Sequence, residues 1–323
     1  MAKKCFVLND IKHRVVDGIL LLDKSSGETS NAALGKIKKL FRANKVGHTG
    51  SLDPLATGML PICFGEATKF SQYLINADKR YYVIAKFGKR TDTFDSEGRV
   101  VSIRPVNFTE NQLYKAIDFF KGQHLQVPPM FSAVKYQGCP LYRYARKGIK
   151  IPRTSRLINI YNIDVLLCNK KNISLEIHCS KGTYIRTIID DLGEYLGCGA
   201  YVVALRRLTV ANFSTSSMIS FAKLHNLVDN DTLKISCCSS RFNRLDKLLL
   251  PIDSALLDMP VLNVSLSVAN VIRYGQTVEI VTDLNNCLVR IMENSGQRFI
   301  GVGEILNKKQ LVPRRLVSSS IIL

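Results

Sequence analysis

The chain has 323 residues, 46% of them hydrophobic, enough to bury a sizeable core and too many for a disordered polymer. Lys and Arg number 45 against 26 Asp and Glu, a net charge of +19, which points to a polyanionic partner, nucleic acid ahead of an anionic membrane. No apolar run approaches the roughly 18 residues of a membrane-spanning helix, the start MAKKCFVLND is a poor signal peptide, and nine scattered Cys without a CxxC pair or Cys/His cluster read as reduced thiols of a cytoplasmic protein.

GILLLD (18–23) reads as a short buried strand. The stretch TSNAALGKIKKLFR follows with a helix pattern: Thr29 or Ser30 can cap it, and Leu34, Ile37, Leu40 and Phe41 form one apolar face. Lys36, Lys38, Lys39 and Arg42, with Lys45 beyond, fall outside that face. They are either a solvated surface or a phosphate-contacting one. RYYVIAKF (80–87) is strand-like, and TDTFDSEGRVV turns back as a hairpin. Thr109 to Gln112 forms a capping box for a helix through Phe120, with Gly122 as a stop.

Residues 126–153 are irregular, and Pro128 and Pro129 forbid a helix through their start. Tyr136, Tyr142 and Tyr144 alternate there with Lys135, Arg143, Arg146 and Lys147, a mix suited to RNA or to a partly buried loop with snorkelling cations. NISLEIHCSKGTYIRTIIDDLGEYLGCGA reads as strand, glycine turn and helix, and AYVVALRRLTVANF as another strand. Residues 223–247 are weakly patterned and read as a linker. After Pro251 short β-like runs predict a small all-β unit. Two domains, 1–250 and 251–323, are therefore expected.

Phosphate-loop, dinucleotide-binding, HExxH and GxSxG motifs are missing, so no nucleotide cofactor or catalytic metal is indicated. The remaining candidate is KVGHTGSLDPLATGMLP (45–61), one acid among small residues. Asp-Pro is commonly a turn initiator. Gly50 and Gly58, however, would let a bulky substrate approach Asp53. Leu52 and Leu55 would favour its neutral form, so a nucleophilic Asp53 needs a cation beside it. Composition does not name that cation. Arg186 has an ordinary alternative partner in Asp190 at i+4, His48 suits a turn or a core, and Tyr81 suits a strand's buried face.

Taken together, GILLLDKSSGETS, KVGHTGSLDPLATGMLPICFGEATKFSQYL, KRYYVIAKFGKRTDTFDSEG, PPMFSAVKYQGCPLYRYARKGIKIPR and CSKGTYIRTIIDDLGEYLGCGAYVVALRRL resemble the TruB-type tRNA pseudouridine-55 synthases of bacteria, in order and spacing across about 17–215. The tail, about 251–317, resembles that family's PUA-like β-barrel more loosely. The resemblance implies an α+β fold with a mixed, largely antiparallel sheet. It implies isomerisation of the T-loop uridine of tRNA without a cofactor or metal, by a chain expected to act as a monomer with no membrane partner. It assigns catalysis to Asp53, its cationic partner to Arg186, and the stack on the target base to Tyr81, which assists proton removal from C5. Tyr184 and Leu205 would line the uracil pocket, and His48 would fill the space that flipped bases leave. Ser25 stands where the family pattern has Pro, and Phe131 where it has Tyr. An RNA chaperone or a structural RNA-binding protein would also explain the charge, but not the Asp53 loop.

Overall fold

The computed structural model describes residues 13–229, 238–293, 296 and 298–318. Strand β1 (Gly18–Lys24) is buried on both faces: Leu20 and Leu22 join the larger core, Ile19 and Leu21 a smaller one behind the sheet. That is why its sequence is a continuous apolar run rather than an alternating one. Helix α1 (Ser30–Phe41) starts where the Thr29 side chain accepts from the Ala32 amide at 3.1 Å, so Thr29 is the cap, and it buries Ala33, Ile37 and Phe41.

Strand β2 (Val46–His48) leads through the Asp53 loop into β3 (Thr57–Phe64), which pairs with both β1 and β2. Pro61 lies inside β3, where a missing N–H usually argues against a strand. It is tolerated because β12, which flanks the start of β3, pairs only with Thr57 and Gly58. Helix α2 (Ser71–Asn76) precedes β4 (Lys79–Phe87), whose Tyr81, Val83, Ala85 and Phe87 face the core in alternation. The hairpin β5 (Lys89–Thr91) and β6 (Val100–Ile103) follows, then helix α3 (Glu110–Phe119) with its complete capping box.

Strand β7 (Gly122–Gln126) enters the irregular segment. The short pair β8 (Lys135–Tyr136) and β9 (Cys139–Pro140) and helix α4 (Leu141–Arg146) give that segment more order than its prolines suggest. Strands β10 (Arg156–Cys168) and β11 (Asn172–Cys179), helix α5 (Ile185–Tyr195), strand β12 (Ala200–Val210) and the short β13 (Ile219–Ser220) complete a nine-stranded sheet. Its order is β13-β1-β3-β12-β4-β11-β10-β7, with β2 on β3, mostly antiparallel.

The expected linker is not one. Helices α6 (Phe221–Asp229) and α7 (Cys238–Asp246) occupy its described residues, and Leu224 and Leu245 are fully buried in the main core. Leu250 closes the sheet's back by exchanging two backbone hydrogen bonds with Ile19, at 2.8 and 2.9 Å.

The second sheet comprises β14 (Val261–Val264), β15 (Val278–Glu279), β16 (Cys287–Glu293), β17 (Arg298–Leu306) and β18 (Gln310–Leu316), in the order β14-β16-β17-β18-β15. It is not all β. Helix α8 (Leu266–Arg273) buries Ala269 and Ile272 against it, and the Ser265 hydroxyl accepts from the Val268 amide to cap the helix. A further apolar cluster joins the two regions, with Phe70 from the turn between β3 and α2, Leu256 from the connecting segment and Val302 from β17.

Candidate active site

The loop 49–56 is held from four directions. Ser30, the first residue of α1, accepts from the Leu52 amide at 2.8 Å and donates to its carbonyl at 3.1 Å. The Gly27 amide donates to Pro54 O at 2.8 Å, and Ser26 Oγ to Leu55 O at 3.1 Å. Lys24 is fully buried and donates to Ser25, Glu28 and Pro54 carbonyls at 2.7, 2.8 and 3.3 Å. Arg207, 2% exposed, donates to Met59 O at 2.7 Å and Gly50 O at 3.3 Å. Gly50 adopts φ +124° and Gly58 φ +96°, and a Cβ on Gly58 would stand 2.2 Å from Arg207 O, so no side chain fits there. The Ser25 contact uses a backbone carbonyl, which a proline would also present.

Held in this way, Asp53 meets Arg186 from the first turn of α5. Nε lies 2.8 Å from Oδ2, and Nη2 donates to Oδ1 at 2.9 Å. The two residues are 133 apart in sequence. The remaining guanidinium protons are also used: Nη2 donates to Phe131 O at 2.9 Å, and Nη1 to Thr93 O and Asp95 Oδ2, each at 3.0 Å. All five N–H groups therefore have acceptors, which fixes the plane of the fork. Asp190 is not the partner of Arg186. It accepts two bonds from Arg90, both at 2.7 Å. The Phe131 contact is made by backbone, so the family's tyrosine hydroxyl is not needed for it.

Burial pushes the Asp53 carboxyl above its usual value, Arg186 pulls it down, and Asp95 raises it again. Both carboxylate oxygens face N–H donors, an arrangement only the anion accepts without a donor–donor clash. The Arg186 side chain is 5% exposed, that of Asp53 34%, so the acid faces the opening and the cation lies behind it.

Tyr81 and Leu205, 8% and 6% exposed, lie on β4 and β12, and half-buried Tyr184 immediately precedes α5. Burial raises the phenols of both Tyr81 and Tyr184. His48 sits at the rim. Its Nδ1 accepts from the Gly50 amide at 3.4 Å, which leaves Nε2–H to donate to Asn31 Oδ1 at 3.2 Å. Burial, then Arg207, lowers its pKa, favouring a neutral ring able to stack. The sequence-derived residues thus fall into three groups: Asp53 with Arg186, Tyr81 and Leu205 on adjacent central strands, and Tyr184 and His48 at the margins.

Several contributors carry no motif that sequence reasoning could single out. Asp95, 2% exposed, is held by Thr93 Oγ1 at 2.6 Å and the Glu97 amide at 3.1 Å, in a turn docked on Val202. Gln126 takes the place of a backbone partner for the uncapped start of α5: its Oε1 accepts from Tyr184 N at 2.8 Å and its Nε2 donates to Tyr184 O at 3.1 Å. Lys24 and Arg207 carry charge inside a sheet, where periodicity expects apolar residues. That mismatch is the one local signal they leave.

The basic surfaces flank this site. Lys36, Lys39, Arg42 and Lys45 are exposed on and after α1, as are Lys135, Arg143, Arg146 and Lys147 around α4. Tyr136 and Tyr144 meet edge-on at 6.1 Å, and Arg146 lies 5.4 Å over Tyr142. Among the described residues no helix is long and apolar enough to cross a membrane, and no three His, Cys, Asp or Glu converge as a metal site requires.

Three family models match end to end. They are the TruB family pseudouridylate synthase N-terminal domain over residues 38–185, the tRNA pseudouridylate synthase B C-terminal domain over 186–257, and the pseudouridine synthase II TruB C-terminal domain over 260–317. The chain is 54% identical over 308 residues to tRNA pseudouridine synthase B of Sodalis glossinidius, covering 94% of this chain and 96% of the relative. It is 52% identical to the proteins of the same name from Shewanella sp. (strain MR-4) and Cronobacter sakazakii, at similar coverage. Its fold matches a Cbf5–Nop10–Gar1 complex with TM-score 0.71 at 24% identity, and an H/ACA ribonucleoprotein bound to a substrate RNA containing 2′-deoxyuridine with TM-score 0.70 at 21%. Each match covers 94% of this chain and 85% of the other. By its length of match, its identity to these relatives and its pseudouridine-synthase core with a PUA-like sheet, the chain belongs to the TruB family of pseudouridylate synthases.

Proposed function

We propose that this protein isomerises uridine 55 in the T loop of tRNA to pseudouridine, with Asp53 as the catalytic residue. The observation that carries the assignment is the two-point Asp53–Arg186 contact, at 2.8 and 2.9 Å, on a loop open toward solvent. The reaction breaks the N1–C1′ bond, turns the bound uracil and joins C5 to C1′, so the atoms balance without a co-substrate. An ionised Asp53 attacks at the ribose or removes its proton, and Arg186 keeps the acid charged and aimed.

The target base must leave its stack before it can reach Asp53. Tyr81 packs on the extruded base, and a base–aromatic stack contributes about 1–3 kcal/mol. Leu205 and Tyr184 enclose the uracil, and His48 fills the vacated space in the loop. The basic surfaces of α1 and α4 hold the T-arm phosphates. In this reading residues 1–250 are the catalytic domain and 251–323 the PUA-like RNA-binding domain. In this reading the protein acts as a monomer, and the substrate places the work in the cytoplasm.

The test is to map pseudouridine in T-arm RNA after incubation with purified wild-type protein and with Asp53→Asn. Wild-type protein should modify the T-loop uridine alone, while the variant binds with similar affinity and forms none. Turnover by the variant above background would remove Asp53 from its role. Modification elsewhere, or nowhere, by wild-type protein would remove the substrate assignment.

A further inference from the structure

A row of four residues crosses the central strands beneath the Asp53 loop. Lys24 on β1 is paired with Gly58 on β3, Gly58 with Arg207 on β12, and Arg207 with Tyr81 on β4. Residues paired in this way project to one face of a sheet. Gly58 contributes no side chain, which leaves its neighbours room to reach the loop. Lys24 reaches Pro54, and Arg207 spans Gly50 and Met59 at the loop's two ends.

Two arginines are buried among the described residues, and they differ. Arg186 faces two carboxylates. Among the described residues no carboxylate lies within ion-pair distance of Arg207, and its two hydrogen bonds go to neutral carbonyls. A buried cation compensated only by neutral groups is costly, and an apolar side chain of similar length would avoid that cost. Lys24 in the same row is compensated in the same way, by carbonyls alone; what sets Arg207 apart is that across the strand pair it faces the phenol of Tyr81.

We propose that Arg207 is the positioning residue that presents positive charge to the Tyr81 oxygen and so makes that oxygen the acceptor of the C5 proton. This rests on the assignment of Tyr81 to proton removal above. Tyr81 rests as the neutral phenol that burial favours, and it ionises by releasing its proton to solvent with the Arg207 charge beside it. Once C5 is joined to C1′, the C5–H bond breaks and the proton passes to that phenolate. The C5–H pair forms C5=C6, the C6=N1 pair moves to N1, and N1 takes up a proton from solvent. Tyr81 is left as the phenol it began as, so nothing is consumed.

The titratable groups facing the phenol are Arg207 from β12, Cys179 from β11 and Asp53 from the loop. Burial raises the phenol above its ordinary value and Arg207 draws it back, while Cys179 and Asp53 oppose ionisation. Arg207 is the one cation among the three.

The test compares Arg207→Gln, which keeps an amide donor for the loop carbonyls but no charge, with Arg207→Lys, which keeps the charge. Single-turnover rates are read on T-arm RNA carrying protium or deuterium at C5 of the target uridine. Arg207→Gln should slow turnover about tenfold to a hundredfold, with RNA affinity unchanged and a primary deuterium isotope effect that wild-type protein lacks. Arg207→Lys should recover much of the rate and suppress the isotope effect. Tyr81→Phe combined with Arg207→Gln should be no slower than Tyr81→Phe alone. Slower turnover without an isotope effect, equal behaviour of the Gln and Lys variants, or additive losses with Tyr81→Phe would overturn the proposal in favour of a loop tether. Should Arg207→Gln fail to fold, 3-fluorotyrosine at position 81 of the charge-free Arg207→Met protein decides. Recovery of the rate supports the charge role, and no change refutes it. If wild-type protein forms no pseudouridine, it is the substrate assignment that has failed. If Tyr81→Phe leaves the deprotonation step untouched, the Tyr81 assignment has failed.

Discussion

The two sheets treat charge in opposite ways. Residues 1–250 carry 38 Lys plus Arg against 20 Asp plus Glu, while 251–323 carry 7 against 6. In the first region Lys24, Lys79, Asp95, Arg186, Asp190 and Arg207 are all nearly inaccessible, whereas in the second Glu293 is the one buried charge among the described residues. Glu293 has an ordinary partner in Arg273 at 2.6 Å. Buried charge is costly, so its concentration marks where the fold has been shaped by chemistry. The second sheet is assembled around Val289, Ile291, Ile300, Ile305 and Leu311, and its near-neutral surface makes it a poor source of long-range attraction to RNA.

The contrast is sharpest at Arg186. Arg186→Met should abolish modification and cost about 3–5 kcal/mol of stability, because Asp53 and Asp95 lose their shared cation in a buried site. Denaturant titration and pseudouridine mapping read both effects. If stability barely changes, the buried charges are not the coupled network described here.

Next in size is the junction between the regions. Phe70→Ala should cost about 3–5 kcal/mol and split one unfolding transition into two, since Phe70 is shared by Leu256 and Val302. A single, evenly shifted transition in calorimetry would show that the regions unfold together for another reason.

Salt dependence separates the surfaces. Replacing Lys39 and Arg42 with Gln should flatten the slope of log affinity against log salt by about 0.7–0.9 for each phosphate no longer neutralised. The same change at Arg314 and Arg315 should flatten it less, because the second region is close to neutral and Arg314 is already paired with Glu304. Equal slopes would assign the electrostatic footprint to both regions.

The smallest effect is at Asp191 on α5. Burial and repulsion from Asp190 raise its carboxyl to about 6 from 3.8. The folded state therefore holds that proton more tightly than the unfolded one, and stability falls as pH rises from about 4 to 6. Asp191→Asn removes this loss. The carboxyl is only partly desolvated, and the residue keeps enough solvent contact to screen the penalty, so the gain at pH 7 should be a few tenths of a kcal/mol, read as a flatter dependence of the melting temperature on pH. A variant less stable than wild type at pH 7 would contradict the sign.

Local pattern is a good guide where one rule acts at a time. Strand β1, helices α1 and α3 with their caps, strand β4 and the β11–α5–β12 run follow from periodicity and from Thr29, Thr109 and the glycine turn. It fails where rules compete. Gly58 and Pro61 hide β3, which is stable because β1 pairs along its length. The weak pattern of 223–247 hides α6 and α7, whose burial rests on a few residues such as Leu224 and Leu245. Helix α8 is lost among β-like runs because three of its eight residues, Val268, Val271 and Ile272, are β-branched and read as strand.

Read as residues alone, the chain declares its partner class through its charge, singles out the Asp53 loop through its small residues, and demands a cation beside that acid. Motif resemblance then names Arg186. Folding adds what no stretch of sequence contains: Arg186 also holds Asp95, 91 residues away, Gln126 braces the start of α5, and Lys24, Gly58, Arg207 and Tyr81 form one row. These facts depend on strand order and register, and no local propensity encodes them. A pairing between distant strands is set by the whole sheet's packing, and a shift of one residue would turn each of these side chains to the opposite face.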